Sequence, residues 1–286
     1  MIFKDKTVIL TGGSAGVGAA AARLFADAGA NLMLVARSKK NLEAIAEELR
    51  DRAEVKTFAM DVADADACAD LVKKTNFEFG GIDVLVNNAG AHHRGSFESV
   101  ESPDLARMID VNLKAPIVLM RLVLPYLREA GGGAIVNVGS LAGRTPVPGS
   151  AVYAASKAGL RSMTYSLADE LIDSGIKIAI VSPGPIDTGF IMSDIDRVSD
   201  LTFSQPLSSA EAVAQAILDL CGNRQTEQSM PAMSGVLTAV TYLMPWVGRL
   251  VRPALERKGA AVKRRLRTAA RKAAAEEKEQ AARQGE

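Results

Sequence analysis

Two patterns of apolar and polar positions alternate along the chain as far as residue 182. Short runs rich in Val, Ile and Leu, almost continuous in apolar character, occupy residues 7–10, 32–36, 55–60, 84–86, 134–138 and 176–181. Longer amphipathic stretches separate them, at residues 17–27, 40–50, 65–79, 104–128 and 152–174. The first pattern predicts strands buried on both faces, and the second predicts helices that cover those faces. Strands alternating with helices specify an α/β fold with a parallel sheet, and right-handed crossovers make it doubly wound and Rossmann-like, flanked by helices on both faces. Ligands of such a sheet lie beyond the carboxyl ends of the strands, where the strand order reverses.

The alternation stops near Gly222, and composition shifts again near Lys258. Residues 1–222 are therefore expected to form one α/β domain, 223–257 an apolar extension, and 258–286 a charged tail. The tail favours helix by propensity but has no broad apolar stripe, so a solvated helix and a disordered segment both remain open.

Composition narrows the class. Of 286 residues, 48% are apolar and 23% charged, with a net charge of +1, which suits a globular protein and gives no reason to expect nucleic acid as a partner. Cys68 and Cys221 lack metal-ligand spacing and are expected to be reduced thiols of a cytoplasmic protein. The chain starts on a strand without a basic, apolar leader. Its nearest approach to a membrane span, residues 230–251, is interrupted by Pro231, Ser234, Thr238, Thr241, Pro245 and Arg249.

Candidate chemistry clusters at the predicted strand ends. Gly12, Ser14, Ala15, Gly16, Val17 and Gly18 follow the first strand and open the first helix, where a glycine turn lets a pyrophosphate approach free helix N–H groups. The second strand ends at Ala36 without the carboxylate that would accept from a ribose 2′-hydroxyl; Arg37 and Ser38 follow, offering donors to a 2′-phosphate. This favours NADP(H) over NAD(H). Asp61 and Val62 after the third strand are expected at the adenine, and Asn88, Ala89 and Gly90 after the fourth at the cofactor ribose. Asn87 and Asn88 also suit a turn closed on its own backbone, and the two readings are compatible.

Tyr153 and Lys157 stand one turn apart on a predicted helix, so they share a face. An unperturbed tyrosine titrates near 10, and a neighbouring ammonium lowers that value toward usable acid/base catalysis. Ser140, at the end of the fifth strand, can hold a substrate oxygen. His92 and His93, being adjacent, do not share one face of an element, which argues against a metal site; lining of the cleft and an exposed loop both remain open.

Between residues 6 and 222 the chain resembles the short-chain dehydrogenase/reductase family. The resemblance rests on Thr11–Gly18, Asn87-Asn88-Ala89-Gly90, Asn112, Ser140, Tyr153 with Lys157, and the segment from Pro183 to Thr188. It implies a catalytic tetrad. Tyr153 would exchange the substrate proton, Lys157 would hold the nicotinamide ribose and tune Tyr153, and Ser140 would orient the carbonyl. Asn112 would hold a water linking Lys157 to solvent, while Pro183, Gly184, Ile186 and Thr188 would cradle the nicotinamide half. The implied activity is NADP(H)-dependent interconversion of a ketone or aldehyde with an alcohol. A nucleotide-binding or membrane-recruiting module without catalysis is the competing reading, opposed by the complete tetrad. Epimerisation or dehydration fits the glycine pattern and length less well.

The extension departs from the family. The Val-Asp-Gly-Gly-like ending of tetrameric members, reached through a seventh strand, has no counterpart here, leaving a homodimer as the expected assembly. Instead Met233, Leu237, Val240, Tyr242, Leu243, Met244, Trp246 and Val247 precede Arg249, Arg252, Arg257, Lys258, Lys263, Arg264, Arg265 and Arg267. This pattern fits a peripheral contact with a membrane, and hence a lipid-like substrate, or packing over the cleft or against a second subunit.

Overall fold

Seven parallel strands form one sheet: β1 (Thr7–Thr11), β2 (Asn31–Ala36), β3 (Val55–Ala59), β4 (Val84–Asn87), β5 (Gly133–Val138), β6 (Ile176–Pro183) and β7 (Glu227–Met230). Their order is β3-β2-β1-β4-β5-β6-β7, so the direction of winding reverses between β1 and β4. The structure, a computed structural model, describes residues 3–192 and 195–284, with only the backbone for 192 and 269–284. Ten α-helices are described: α1 (Gly16–Asp27), α2 (Lys39–Leu49), α3 (Ala65–Phe79), α4 (Ser102–Ile109), α5 (Ala115–Glu129), α6 (Ala151–Glu170), α7 (Gly189–Met192), α8 (Ala210–Gly222), α9 (Ala232–Leu243) and α10 (Pro245–Gln284).

Successive strand residues supply opposite faces. Val8, Leu10, Leu32, Leu34, Val84, Val86, Val136 and Val181 pack under α1, α2 and α8. Ile9, Met33, Val35, Leu85, Ile135, Ile178 and Ile180 pack under α3, α5 and α6. Each such side chain, fully removed from water, contributes roughly 1.5–3 kcal/mol. Local signals set the helix ends: Ser38, Asp64 and Ser209 cap the N-termini of α2, α3 and α8, and Gly80 ends α3 at φ 76°. Ala15 at the start of α1 offers no side-chain cap, and the first turn of α1 carries no acid.

The predicted helix over residues 104–128 proves to be α4 and α5 joined by a π-helical turn, Asp110–Lys114. Pro116 explains the widening. It has no N–H to give the Asn112 carbonyl four residues back, and its ring would press on that carbonyl in a regular α-turn.

The seventh strand lies outside the predicted set. β7 is polar, Glu-Gln-Ser-Met, and carries no apolar run because it is the sheet edge, pairing in parallel with β6 through Ile180↔Glu227 and Pro183↔Met230. Its Glu227 carboxylate is buried beneath α6. It accepts from Arg161 Nε and Nη2 at 2.9 and 2.8 Å, from Ser182 Oγ at 2.7 Å and from Tyr165 Oη at 2.9 Å, with Arg144 Nη1 at 3.5 Å. Burial opposes the charge, but these donors together hold the carboxyl below the ordinary glutamate range.

Beyond β7 the chain turns back over the mouth of the sheet. α9 and the first turns of α10 reach the cleft, and α10 then docks on the segment that follows α7. A Cβ at Gly259 would lie 1.7 Å from the Asp200 carbonyl, so only glycine permits this approach. Lys263 Nζ donates to the Val198 carbonyl at 2.6 Å, and Val262 and Leu266 pack with Ile195, Val198 and Phe203.

Replacing Glu227 by Ala strands the Arg161 and Arg144 charges under α6. The expected loss is about 2–4 kcal/mol, below the roughly 3–5 kcal/mol of a fully buried pair because Arg161 is partly exposed. Urea denaturation at neutral pH measures it, and a midpoint unchanged from the parent protein would refute the clamp.

Candidate active site

A cleft of about 940 Å³ runs across the carboxyl ends of the strands, over the reversal between β1 and β4. One hydroxyl joins its two sides. Thr11 Oγ1 donates to the Val86 carbonyl at 3.2 Å and accepts from the N–H groups of Asn88 and Ala89 at 3.0 and 3.1 Å. The Asn88 amide donates to the carbonyls of Thr11 and Gly12 at 3.0 and 3.2 Å, so this side chain stitches the two loops together. Neither asparagine closes a turn on its own backbone: Asn87 Nδ2 donates to Asn137 Oδ1 at 2.9 Å, and Asn137 Nδ2 to Thr164 Oγ1 at 2.9 Å.

The glycine turn is built for close approach. Gly12 has φ 68°, and a Cβ there would stand 2.7 Å from Asn88 Nδ2. A Cβ at Gly18 would meet the Gly12 carbonyl at 2.0 Å, which explains the glycine one turn into α1. The backbone thus passes close under the cleft while the uncapped start of α1 faces it, an arrangement that suits a pyrophosphate. Gly12, Ser14, Ala15, Gly16 and Val17 line the cleft; Gly18 acts from behind.

At the far end lie Arg37, Ser38, Asn41, Asp61, Val62 and Arg107. The Ser38 hydroxyl accepts from Asn41 N at 3.3 Å as the cap of α2. Asp61 Oδ1 accepts from Ala63 N at 3.0 Å, and Arg107 pairs with Oδ2. Burial works against the Asp61 charge, yet the Ala63 N–H and the Arg107 and Arg37 guanidiniums hold its carboxyl below the usual range. Arg107 escapes a reading of the sequence because it sits on α4, remote from every strand end.

At the reaction end, Ser140, Tyr153 and Lys157 line the cleft together with Ala89, Gly90, Pro183, Gly184, Ile186 and Thr188. The turn after Ser140 packs so tightly on α6 that a Cβ at Gly143 would lie 2.8 Å from Ala158 N. That contact fixes Ser140 relative to Lys157. Asn112 lies behind the cleft wall, fully buried. Its Oδ1 accepts from Ala91 N at 2.8 Å, while Nδ2 donates to the Ala91 carbonyl at 2.9 Å and Ser156 Oγ at 3.1 Å. The side chain is thereby committed to the protein.

The electrostatics differ from the sequence expectation in one respect. Burial raises the Tyr153 phenol above its ordinary value, only partly countered by the Ser140 hydrogen bond and the Arg94 charge. Lys157 Nζ donates to the Val138 carbonyl at 2.8 Å and sits 5.9 Å from the centroid of the Tyr153 ring. Burial lowers the Lys157 ammonium to about 8. Desolvation thus outweighs the help that Ser140 and Arg94 give the phenol.

His92 belongs to the site. Its ring stacks on Tyr153 with centroids 4.0 Å apart and an interplanar angle of 12°, and its Nε2 lies 3.1 Å from Ser150 Oγ. Burial, with Arg94, His93 and Lys157 adding to it, pushes His92 down to about 3, so the ring is neutral at physiological pH. His93 turns away toward Asp104, with Nδ1 at 3.3 Å from Oδ2. No cluster of three metal-ligating side chains occurs among the described residues. The remaining walls include Leu141, Val147, Phe190 and Val198, and from the C-terminal helices Leu237, Thr241, Val251 and Leu255. Periodicity marks these C-terminal positions as apolar or small without saying what they face.

Known proteins share this architecture. Residues 6–198 match the profile of the family described as short chain dehydrogenase. Sulfoacetaldehyde reductase 2 of Chromohalobacter salexigens is 42% identical over 187 residues, covering 65% of this chain and 74% of that protein. The ketoacyl reductase HetN of a Nostoc species is 34% identical over 258 residues, covering 88% of this chain and 87% of the relative. Among solved structures, levodione reductase superposes with a TM-score of 0.70 at 30% identity, over 76% of this chain and 91% of its own. An actinorhodin polyketide ketoreductase variant with NADPH superposes with a TM-score of 0.72 at 27% identity, over 78% and 95%. The glycine turn under a reversed sheet, the serine–tyrosine–lysine group at its rim and these matches have one reading: the chain is a member of the short chain dehydrogenase family, an oxidoreductase.

Proposed function

We propose that the protein is an NADP(H)-dependent reductase that interconverts a ketone or aldehyde with an alcohol, with Tyr153 as general acid/base. The observation that carries this reading is the convergence of Ser140, Tyr153 and Lys157 on one wall of a cleft whose other end is cationic. Arg37 follows the second strand, which ends without a carboxylate, and its guanidinium suits a 2′-phosphate, while Arg107 is paired with Asp61 beside it. The same cofactor in the polyketide ketoreductase structure agrees with this choice.

A nicotinamide cofactor, when bound, supplies or accepts the hydride. The protein aligns the carbonyl and handles the proton. Ser140 donates a hydrogen bond that fixes the substrate oxygen against Tyr153. With its phenol raised by burial, Tyr153 is protonated at neutral pH and gives its proton to that oxygen as the alcohol forms. Lys157, held at the Val138 carbonyl, stabilises the tyrosinate left behind and would hold the nicotinamide ribose. A water on the Asn112 carbonyl would return the proton. His92, neutral and stacked, keeps the Tyr153 ring at its angle without competing for the proton.

The apolar walls favour a substrate whose carbonyl is carried on a hydrophobic body. The relatives named for sulfoacetaldehyde and for ketoacyl groups bracket the choice between a small polar carbonyl and a long acyl chain. The C-terminal wall of Leu237, Val251 and Leu255 supports the latter.

Tyr153→Phe should lower kcat by at least about a hundredfold, the usual scale for a lost general acid, with NADPH affinity nearly unchanged. Stopped turnover with intact NADPH fluorescence binding is the signature; full activity would remove Tyr153 from the chemistry. Arg37→Ala should weaken NADPH by roughly 1.5–3 kcal/mol, as expected for a charge-assisted hydrogen bond, and leave NADH almost unaffected. Titration calorimetry with both cofactors decides, since equal losses would mean that Arg37 does not read the 2′-phosphate. The rate of carbonyl reduction should be flat through neutral pH and fall as pH rises past about 8, where Lys157 loses its proton and its charge no longer stabilises the tyrosinate. A kcat profile level to well above that pH would contradict this assignment.

A further inference from the structure

Helix α9 is inside out. Its buried face is small and polar: Ser234, Gly235, Thr238 and Thr241, with Thr238 only 2% exposed. These groups are satisfied locally. Thr238 Oγ1 donates to the Gly235 carbonyl at 2.9 Å, Thr241 Oγ1 lies 3.2 Å from Thr145 Oγ1, and Gly235 sits so close to Ser229 that a Cβ would stand 2.4 Å from its side chain. The apolar side chains point outward instead. Met233 and Leu243 are each 78% exposed, and Val236 and Leu237 lie between them at helical spacing.

The outward face continues around the elbow into α10. Trp246 is 59% exposed and Leu250 73%, and with Met244 they extend the patch. No charged residue occurs from 232 to 248. From Arg249 onward the exposed face of α10 becomes basic, with Arg257, Lys258, Arg264 and Arg265 in water. Glu256 is the only carboxylate between residues 232 and 268, and Arg252 neutralises it at 2.7 Å. Asp200 and Asp196 pair with Lys263 and Arg267 from the neighbouring segment, which leaves Arg249, Arg257, Lys258, Arg264 and Arg265 in excess. An apolar face bordered by an excess of cations is the pattern of a helix that lies in a lipid interface.

We propose that the α9–α10 elbow is a docking surface for an anionic lipid bilayer. Met233, Leu243, Trp246 and Leu250 would enter the acyl boundary, and the α10 cations would meet the headgroups. A second copy of the chain fits less well, because a two-fold pairing of this face sets one basic row near its own image. The surface does not span: no helix among the described residues is long and apolar enough to cross a membrane. Leu237 and Pro245 belong to the elbow and also line the cleft, so the bilayer would meet the protein beside the mouth of the site.

The chain has one tryptophan, and it lies in the patch. Intrinsic emission of the full chain therefore reports docking without turnover, and a failed carbonyl assay would leave this test untouched. Mixed phosphatidylcholine and phosphatidylglycerol vesicles should shift Trp246 emission to the blue at low salt, with quenching by brominated acyl chains. Pure phosphatidylcholine should bind more weakly, and high salt should reverse the shift. The double variant Met233→Glu with Leu243→Glu should lose vesicle affinity by roughly tenfold or more while keeping NADPH binding. Should that variant fail to fold, Arg257→Glu with Arg264→Glu tests the same surface from its basic side and should weaken only the anionic vesicles. Unmoved and unquenched emission with anionic vesicles overturns the proposal. So does a blue shift that grows with protein concentration in the absence of lipid, alongside a doubled mass by light scattering, which would give the patch to a second copy.

Discussion

The hydroxyl of Thr11 spends its donor and both its acceptor positions at the point where the sheet reverses direction. β1 and β4 diverge into separate loops there, and parallel strands alone give those loops no reason to stay together. Thr11 and the Asn88 amide supply that reason, binding the glycine turn to the segment that begins the reaction end of the cleft. Because Asn88 fills the space behind Gly12, the turn cannot relax outward without losing buried hydrogen bonds. The glycine turn and the segment that follows β4 are therefore parts of one rigid seam.

A second seam holds the catalytic side chains against each other. Gly143 lets the turn after Ser140 lie on α6 beside Lys157, and the Glu227 carboxylate ties that turn, α6 and the sheet edge through Arg144, Arg161 and Ser182. Behind them Asn112 reaches Ala91 and Ser156 from a widened helical turn. Each of these polar groups is partnered, and Asn112 and the Glu227 carboxylate are buried, so small displacements are costly and the spacing of Ser140, Tyr153 and Lys157 is well defined.

Much of this was legible in the order of residues. Strands β1, β2, β4, β5 and β6 announced themselves because they lie inside the sheet with both faces covered, which leaves runs rich in Val, Ile and Leu. The edge strand β3 showed itself through Val55, Phe58 and Ala59 between helices. β7 did not, since an edge strand needs no such run and its Glu227 serves a carboxylate clamp. Glycines 12 and 18 were readable as a tight turn between the first strand and the first helix, which is where the structure has them. Arg107 and His92 were not fixed in advance, because the first depends on where α4 crosses β3's end and the second on a ring orientation. The outcome at Tyr153 differed for a similar reason: helix spacing brings a lysine near, but only the fold reveals how much water both groups have lost. The inverted α9 also lay beyond pattern, because periodicity shows two unlike faces without saying which one the protein covers.

The approach of Gly259 to Asp200 carries a consequence for how specificity is inherited. The segment from 195 to 204 is held from outside by a helix that the matched family profile, ending at residue 198, does not include. Val262, Lys263 and Leu266 grip that segment, and Val251 and Leu255 face the cleft directly. Two relatives with identical catalytic groups and different C-termini would thus present different rooms to their substrates. In this protein the appendage is a wall of the cleft, and the shape of that cleft can drift there without any change in Ser140, Tyr153 or Lys157.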